Sequence, residues 1–202
     1  MRSIYVLIFI LVWTFACSER KQDKPSVQRF AAVAKKKKKS ATSLASFCEV
    51  FHDAKSAPLF SPPPSQPFPE ELGVPERPKP LKKWKWVNVW ASWCAPCVEE
   101  IPLFRQWQSA LSKHLEFQLW SMDEDKAKLI ESFKKLQPMP GWVGWFDSPE
   151  SVPKFFGTLG IEPMSPIPVH ILVDPMGKTR CVRVGKVSEE AYGAILSLVS
   201  SK

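Results

Sequence analysis

Cys94-Ala95-Pro96-Cys97 sits where the chain changes texture. Just before it, residues 84–90 read Trp-Lys-Trp-Val-Asn-Val-Trp, an aromatic and β-branched run that predicts a buried strand. After it, Ile101, Phe104, Trp107 with Gln108, Leu111 and Leu115 fall near helical spacing. They predict a helix over 96–115, kinked at Pro102. The placement carries chemistry with it. The N–H groups and macrodipole of a helix N-terminus stabilise an anion, and the thiolate is the reactive form of cysteine. Cys94 at the helix mouth can attack a disulfide, and Cys97, one turn in, can resolve the mixed disulfide that forms. Pro96 suits the first turn, where a missing N–H leaves nothing unpaired.

Downstream, residues 116–122 read as a second strand and 125–136 as a second helix, with a short helix over 150–159. Residues 169–173 and 180–184 read as two strands joined by Asp174-Pro175-Met176-Gly177, a turn with Pro pre-setting φ and Gly near the exit. A last helix begins near Ser188, with Glu189 and Glu190 at the positive end of its dipole. The order β-α-β-α-(α)-β-β-α predicts an α/β fold: a central mixed sheet from a βαβ unit, a hairpin and a covering C-terminal helix.

The formal charge of +8 is concentrated at one end. Residues 1–46 hold ten Lys/Arg against two Asp/Glu, and residues 47–202 hold eighteen of each. The globular part is therefore not basic, and no nucleic-acid partner is expected. Residues 4–16 form an apolar run too short for a comfortable span of about 20 residues, but suited to the core of a secretory signal. Cys17 follows it directly, as in a bacterial lipoprotein signal, although Thr14 stands where such signals usually carry Leu. Lipidation of Cys17 is the expectation, with a cleaved soluble form or an uncleaved anchor as alternatives. Residues 18–46, with Lys35 to Lys39 in one block, read as a disordered basic tether. Attraction of each Lys to anionic headgroups, about 1 kcal/mol near a surface, is the other reading. Residues 47–83 form a proline-rich arm, in which Phe60, Phe68 and Leu72 could pack along the domain at 84–202.

A zinc site would need a second Cys/His pair. Cys48 and Cys181 are isolated, and His52, His114 and His170 are not spaced as a knuckle, so no metal or other cofactor is expected. The run Val87-Asn88-Val89-Trp90-Ala91-Ser92-Trp93-Cys94-Ala95-Pro96-Cys97-Val98-Glu99-Glu100-Ile101-Pro102 resembles the active-site segment of the TlpA/ResA-type family of exported, membrane-tethered, thioredoxin-like thiol–disulfide oxidoreductases. A second marker, Pro168-Val169-His170-Ile171-Leu172-Val173-Asp174-Pro175-Met176-Gly177, resembles the family's cis-proline, strand and turn.

The resemblance implies a thioredoxin-like fold, Cys94 as attacking thiolate and Cys97 as resolving thiol. It implies Pro168 as the cis-proline, with Pro163 and Pro166 as competitors, and the Ile167 backbone as a hydrogen-bonding edge for substrate. Trp93 would flank the site as an aromatic lid or simply pack. Glu100 would sit near the cysteines and affect their ionisation, or be a charge on a solvated helix face. Asn88 stands where thioredoxin itself has a buried Asp, and Val169 and His170 depart from the family pattern. For an exported chain, Cys48 and Cys181 are expected to form a structural disulfide.

Function follows as expectation: a disulfide exchanger in a bacterial cell envelope, facing the periplasm as a membrane-anchored lipoprotein. It would act on exported protein substrates and draw on an upstream membrane electron donor or acceptor. Ala95-Pro96 offers no charged or His neighbour to favour the Cys94 thiolate strongly, so a reducing role is expected. Cytochrome c maturation or metallation of an oxidase are pathways the family suggests. The alternative is a thioredoxin-fold binding module or copper carrier with the two thiolates as ligands.

Overall fold

The computed structural model describes residues 44–69, 72 and 82–200. The leader at 1–17 with Cys17, residues 18–43 of the basic segment, and residues 70, 71 and 73–81 of the arm lie outside the described residues.

Seven strands form one sheet: β1 (Val50–Phe51), β2 (Ser65–Gln66), β3 (Trp84–Trp90), β4 (Leu115–Ser121), β5 (Trp142–Phe146), β6 (Val169–Val173) and β7 (Thr179–Val184). Their order is β1-β7-β6-β3-β4-β5-β2. Strands β3, β4 and β5 run parallel; β6 pairs antiparallel with β3 and with β7. The helices are α1 (Leu44–Phe47), α2 (Ala95–Leu111), α3 (Lys126–Lys135), α4 (Ser151–Thr158) and α5 (Tyr192–Ser200), the last preceded by a 3-10 turn at Glu189–Ala191. None among the described residues is long and apolar enough to cross a membrane.

Strand β3 is the centre of the sheet because both of its faces are apolar. Six of its seven residues are buried, as a strand covered on both sides requires. Trp86 and Trp90 face one layer, built from α2, α3 and α5 with Ile101, Phe104, Trp107, Leu129, Phe133 and Ile195. Val87 and Val89 face the other, built mainly from α4 with Val152, Phe155 and Phe156. The layering follows from handedness. The crossovers β3–α2–β4 and β4–α3–β5 step the same way across the sheet, so right-handed connections put both helices on one face. The return from β5 to β6 carries α4 on the opposite face. In the first layer Trp86 meets Phe104, Trp107 and Phe117 with ring centroids 5.3–5.4 Å apart. Such pairs add about 0.5–1.5 kcal/mol each beyond the area they bury.

Two elements differ from the sequence expectation. The helix expected over 96–115 ends at Leu111, where the His114 N–H turns back to the Leu111 carbonyl at 2.8 Å. Leu115 already pairs with Trp84 in the sheet. Strand β5 was not anticipated, and with it the order over 84–200 becomes β-α-β-α-β-α-β-β-α. The chain enters β5 through Gly141 at φ +89°, where an added Cβ would lie 2.2 Å from the Phe117 carbonyl oxygen.

The arm packs against both edges of the sheet. Cys48 is disulfide-bonded to Cys181 of β7, and β1 pairs antiparallel with that strand. The chain then crosses the α4 face, where Phe60 meets Phe155 at 6.3 Å, and β2 pairs with β5. Phe68 ends against Phe133 of α3, and Leu72 packs on the same layer.

Candidate active site

Strand β3 delivers its last residue, Trp90, to a tight turn, and the Cys94 N–H closes that turn on the Ala91 carbonyl at 3.1 Å. Cys94 is then the N-cap of α2, in extended conformation, and its sulfur accepts the Cys97 N–H at 3.3 Å. This is one of the N–H groups that a helix start leaves without an intrahelical partner. Ala95 and Pro96 occupy the first turn. The two cysteines form a disulfide, S–S 2.00 Å, and Cys94 is 5 % exposed against 1 % for Cys97. Cys94 is thus the slightly less buried of the two, and its sulfur is the one placed at the positive end of the helix.

The Ile167–Pro168 bond is cis; the peptide bonds before Pro163 and Pro166 are not. It brings the Ile167 carbonyl oxygen to 3.8 Å from Cys94 Sγ. Pro168 is buried, and its own carbonyl is taken by the Gly185 N–H at 2.8 Å. Trp93 is 65 % exposed, with Ala95 and Pro96 exposed close by in the chain, and Met164, three residues before Ile167, is 86 % exposed. Trp93 thus does not pack into the core.

Glu100 is not on a solvated face. It is 1 % exposed, one helical turn beyond Cys97, while its neighbour Glu99 points outward to Lys186. The Val187 N–H donates to Glu100 Oε1, and His170 Nε2 lies 3.5 Å from the same oxygen. Glu100 Oε2 is buried without a hydrogen bond. His170, also 1 % exposed, is opposite Asn88 in the β3–β6 ladder. Its Nδ1 lies 3.2 Å from both Trp86 Nε1 and Asn88 Nδ2, and its Nε2 lies 3.2 Å from the Gly185 carbonyl. Asn88, Glu100 and His170 thus form one buried polar cluster, of which Glu100 lies one helical turn beyond Cys97.

Sequence reasoning missed Asp123. It is buried at the end of β4 and accepts the Ser92 N–H, the Ser92 hydroxyl at 2.5 Å and the Ser121 hydroxyl at 2.6 Å. Its carbonyl takes the Trp145 indole N–H at 2.6 Å. This carboxylate holds the turn that presents Cys94. In the sequence it belongs to an acidic run, Asp123-Glu124-Asp125, which reads as a helix start; Asp125 does cap α3. No local signal separates the two.

The Cys48–Cys181 disulfide lies elsewhere, level with Leu172 and Trp86 in the ladder rather than at the end of β3. No group of three or more His, Cys, Asp or Glu among the described residues is arranged to hold a metal ion.

No protein-family model and no curated protein sequence matches the chain. Solved structures do. A thioredoxin-related protein from Neisseria meningitidis serogroup B superposes with TM-score 0.52 at 24 % identity, over 63 % of this chain and 93 % of that one. A candidate thiol:disulfide interchange protein, DsbE, from Chlorobium tepidum superposes with TM-score 0.51 at 22 % identity, over 59 % and 82 %. The fold is thioredoxin-like.

Proposed function

We propose that this protein is a thiol–disulfide oxidoreductase of the bacterial cell envelope that reduces disulfides in exported proteins. One observation carries the reading. The Cys94–Cys97 disulfide caps the N-terminus of a 17-residue helix, with the carbonyl of a cis-proline junction facing Cys94. The neighbours named above, a thioredoxin-related protein and a disulfide interchange protein, agree with it in kind.

In the reducing direction the dithiol form starts the cycle. Cys94 thiolate attacks one sulfur of the client disulfide; that bond breaks, and the departing client thiolate takes up a proton. Cys97 then loses its proton and attacks Cys94 Sγ. The mixed disulfide breaks, the second client thiolate is protonated, and Cys94–Cys97 is left oxidised. Two electrons have passed from the protein to the client. The helix N-terminus stabilises Cys94 as the attacking thiolate. The peptide edge at Ile167 is placed to pair with the client backbone beside the reacting sulfur. Exposed Trp93 and Met164 supply apolar contact around it. A membrane electron donor returns the disulfide to dithiol. The leader and Cys17 would anchor the protein as a periplasm-facing lipoprotein, and c-type cytochrome precursors are among the clients the sequence resemblance suggests.

The test is a Cys97→Ala trap expressed in a bacterial envelope. It accumulates mixed disulfides through Cys94, and mass spectrometry names the clients. A trap that captures nothing there overturns the reading. A redox titration decides direction: a potential near about −120 mV, that of a strong oxidant, overturns the reducing role.

A further inference from the structure

The two ends of the sheet carry opposite charge. On the side of the Cys94 turn, Glu124 and Asp125 follow β4, Asp147 follows β5, and Glu189 and Glu190 come after β7, all of them exposed. Lys126 is exposed there as well, but Lys186 pairs with Glu99 and Lys128 lies 3.9 Å from Asp125. The opposite end is basic. Lys82 and Lys83 lead into β3, Lys113 comes just before β4, and Lys178 ends the β6–β7 turn. The arm brings Lys55 to the same end, since Lys178 Nζ donates to the Ala54 carbonyl at 3.1 Å. Lys83 Nζ donates to the Ser112 carbonyl at 2.9 Å. A carbonyl holds an ammonium group in place without cancelling its charge. Lys55, Lys82 and Lys113 are exposed. Of the acids at this end, Asp174 is buried with Arg180 3.5 Å away, Glu116 is half-buried and feels Lys85, and Asp53 is exposed.

Two large apolar side chains stand among these lysines. Leu59, 75 % exposed, bridges to Lys178 in the ladder. Met176, 77 % exposed, tips the adjoining turn, where the Phe60 N–H donates to the Gly177 carbonyl at 2.8 Å. Pro58 and Pro175 are exposed next to them in the chain. A soluble polyanion would satisfy the lysines and leave Leu59 and Met176 in water. An anionic lipid surface takes both, with headgroups for the ammonium groups and the acyl boundary for the apolar side chains. We propose that this end of the sheet docks on an anionic lipid surface and so holds the Cys94 turn and the cis-proline junction away from the membrane. The seven residues of β3 separate the two ends by roughly 20 Å, at about 3.3 Å per residue. The acidic end is repelled by the same headgroups, so the charge that attracts one end also sets which way the molecule faces.

Met164 supplies an internal control. It is as exposed as Met176 but lies three residues before Ile167, at the cis-proline end. The full-length protein, with isotope-labelled methionine methyls, is placed on lipid nanodiscs that carry a paramagnetic headgroup. On discs containing phosphatidylserine the Met176 signal broadens and the Met164 signal stays sharp. On phosphatidylcholine discs that difference disappears. In a Lys55→Gln, Lys82→Gln, Lys113→Gln protein the docking constant falls about 100-fold, at about fivefold for each lysine, and Met176 is sharp again on the anionic discs. Met164 broadened as much as Met176 on the anionic discs overturns the proposal, as does the same Met176 broadening on both kinds of disc or in the triple variant. Heparin that shifts the Met176 signal while anionic discs leave it sharp also overturns it, and marks a polyanion site instead. Exchange is read separately, as coloured thiolate released from an aromatic disulfide reagent, so docking and the exchange function fail independently.

Discussion

Both carboxylate oxygens of Asp123 accept the backbone N–H of Ser92, at 3.1 and 3.0 Å. Ser92 lies in the turn between Trp90 and Cys94, so a residue at the end of β4 determines how β3 hands the chain to the reactive sulfur. Asp123→Ala leaves a half-buried N–H and two hydroxyls without their acceptor. The expected loss is about 2–4 kcal/mol of stability, since hydrogen bonds to a charged group are worth about 1.5–3 kcal/mol. Exchange should slow as well. Denaturant unfolding of the disulfide form measures the first effect and stopped-flow thiol release the second.

Trp93 makes the opposite case, a large side chain with little to lose from truncation. At 65 % exposure, Trp93→Ala is expected to change stability by no more than about 0.5 kcal/mol. It should slow reduction of a protein disulfide while leaving a small disulfide reagent unaffected. Parallel assays with insulin and with the reagent check this; equal slowing of both would show that the indole shapes the cysteines instead.

Glu116 of β4 gives a pH dependence. Burial raises its affinity for a proton above the ordinary carboxylate value, and Lys85 and the Gln118 amide offset this only in part. The folded chain therefore binds more protons than the unfolded one between that ordinary value and the raised one, and its stability falls as pH climbs through that interval. Below the ordinary range, about pH 4, the penalty is absent. Glu116→Gln is expected to be more stable than wild type at pH 7, with the gap closing towards pH 4. Urea titrations at the two pH values read it.

The Cys48–Cys181 bridge spans 133 residues. On the chain-entropy account its removal in a Cys48→Ala, Cys181→Ala protein costs up to about 5 kcal/mol. Exchange through Cys94 should survive, because Cys181 lies level with Trp86 and not with the turn that leaves Trp90. Chemical denaturation with the Cys94–Cys97 disulfide kept intact checks the first part, and thiol release the second.

What could be read from the sequence had a local period or a local turn. Alternating tryptophan and valine mark β3, and the Asp174 turn marks the β6–β7 hairpin. The turn closes with Asp174 Oδ1 accepting the Met176 and Lys178 N–H groups at 2.9 and 3.0 Å. Strand β5 was hidden because its residues answer to their neighbours. Gly144 lies inside it because an added Cβ would meet the Trp142 and Trp120 rings at 2.7 and 2.8 Å, so the strand carries a loop residue. The edge strands β1 and β2 have two residues each, too few for alternation. Glu100 left a trace: it shares the stripe of Cys97, Ile101, Phe104, Trp107 and Leu111, the apolar face of its helix. Asp123 reaches Ser92 from 31 residues away, and His170 reaches Trp86 and Asn88 from more than 80 residues away; these pairs appear only once the sheet is assembled.

The two-residue strands of the arm also close the two edges of the sheet. A thioredoxin-type sheet offered bare would present a row of unpaired N–H and C=O groups along β7 and another along β5, each a template for a passing strand. Here β1 occupies the first and β2 the second. The replacements are poor templates themselves, since β2 lies between Pro64 and Pro67, neither of which has an N–H to offer. A client with exposed cysteines is also a client with exposed strands, prone to aggregate on any open ladder. On the function proposed above, sealing the flanks would confine a client's attachment to the cis-proline junction, where release comes with the chemistry itself.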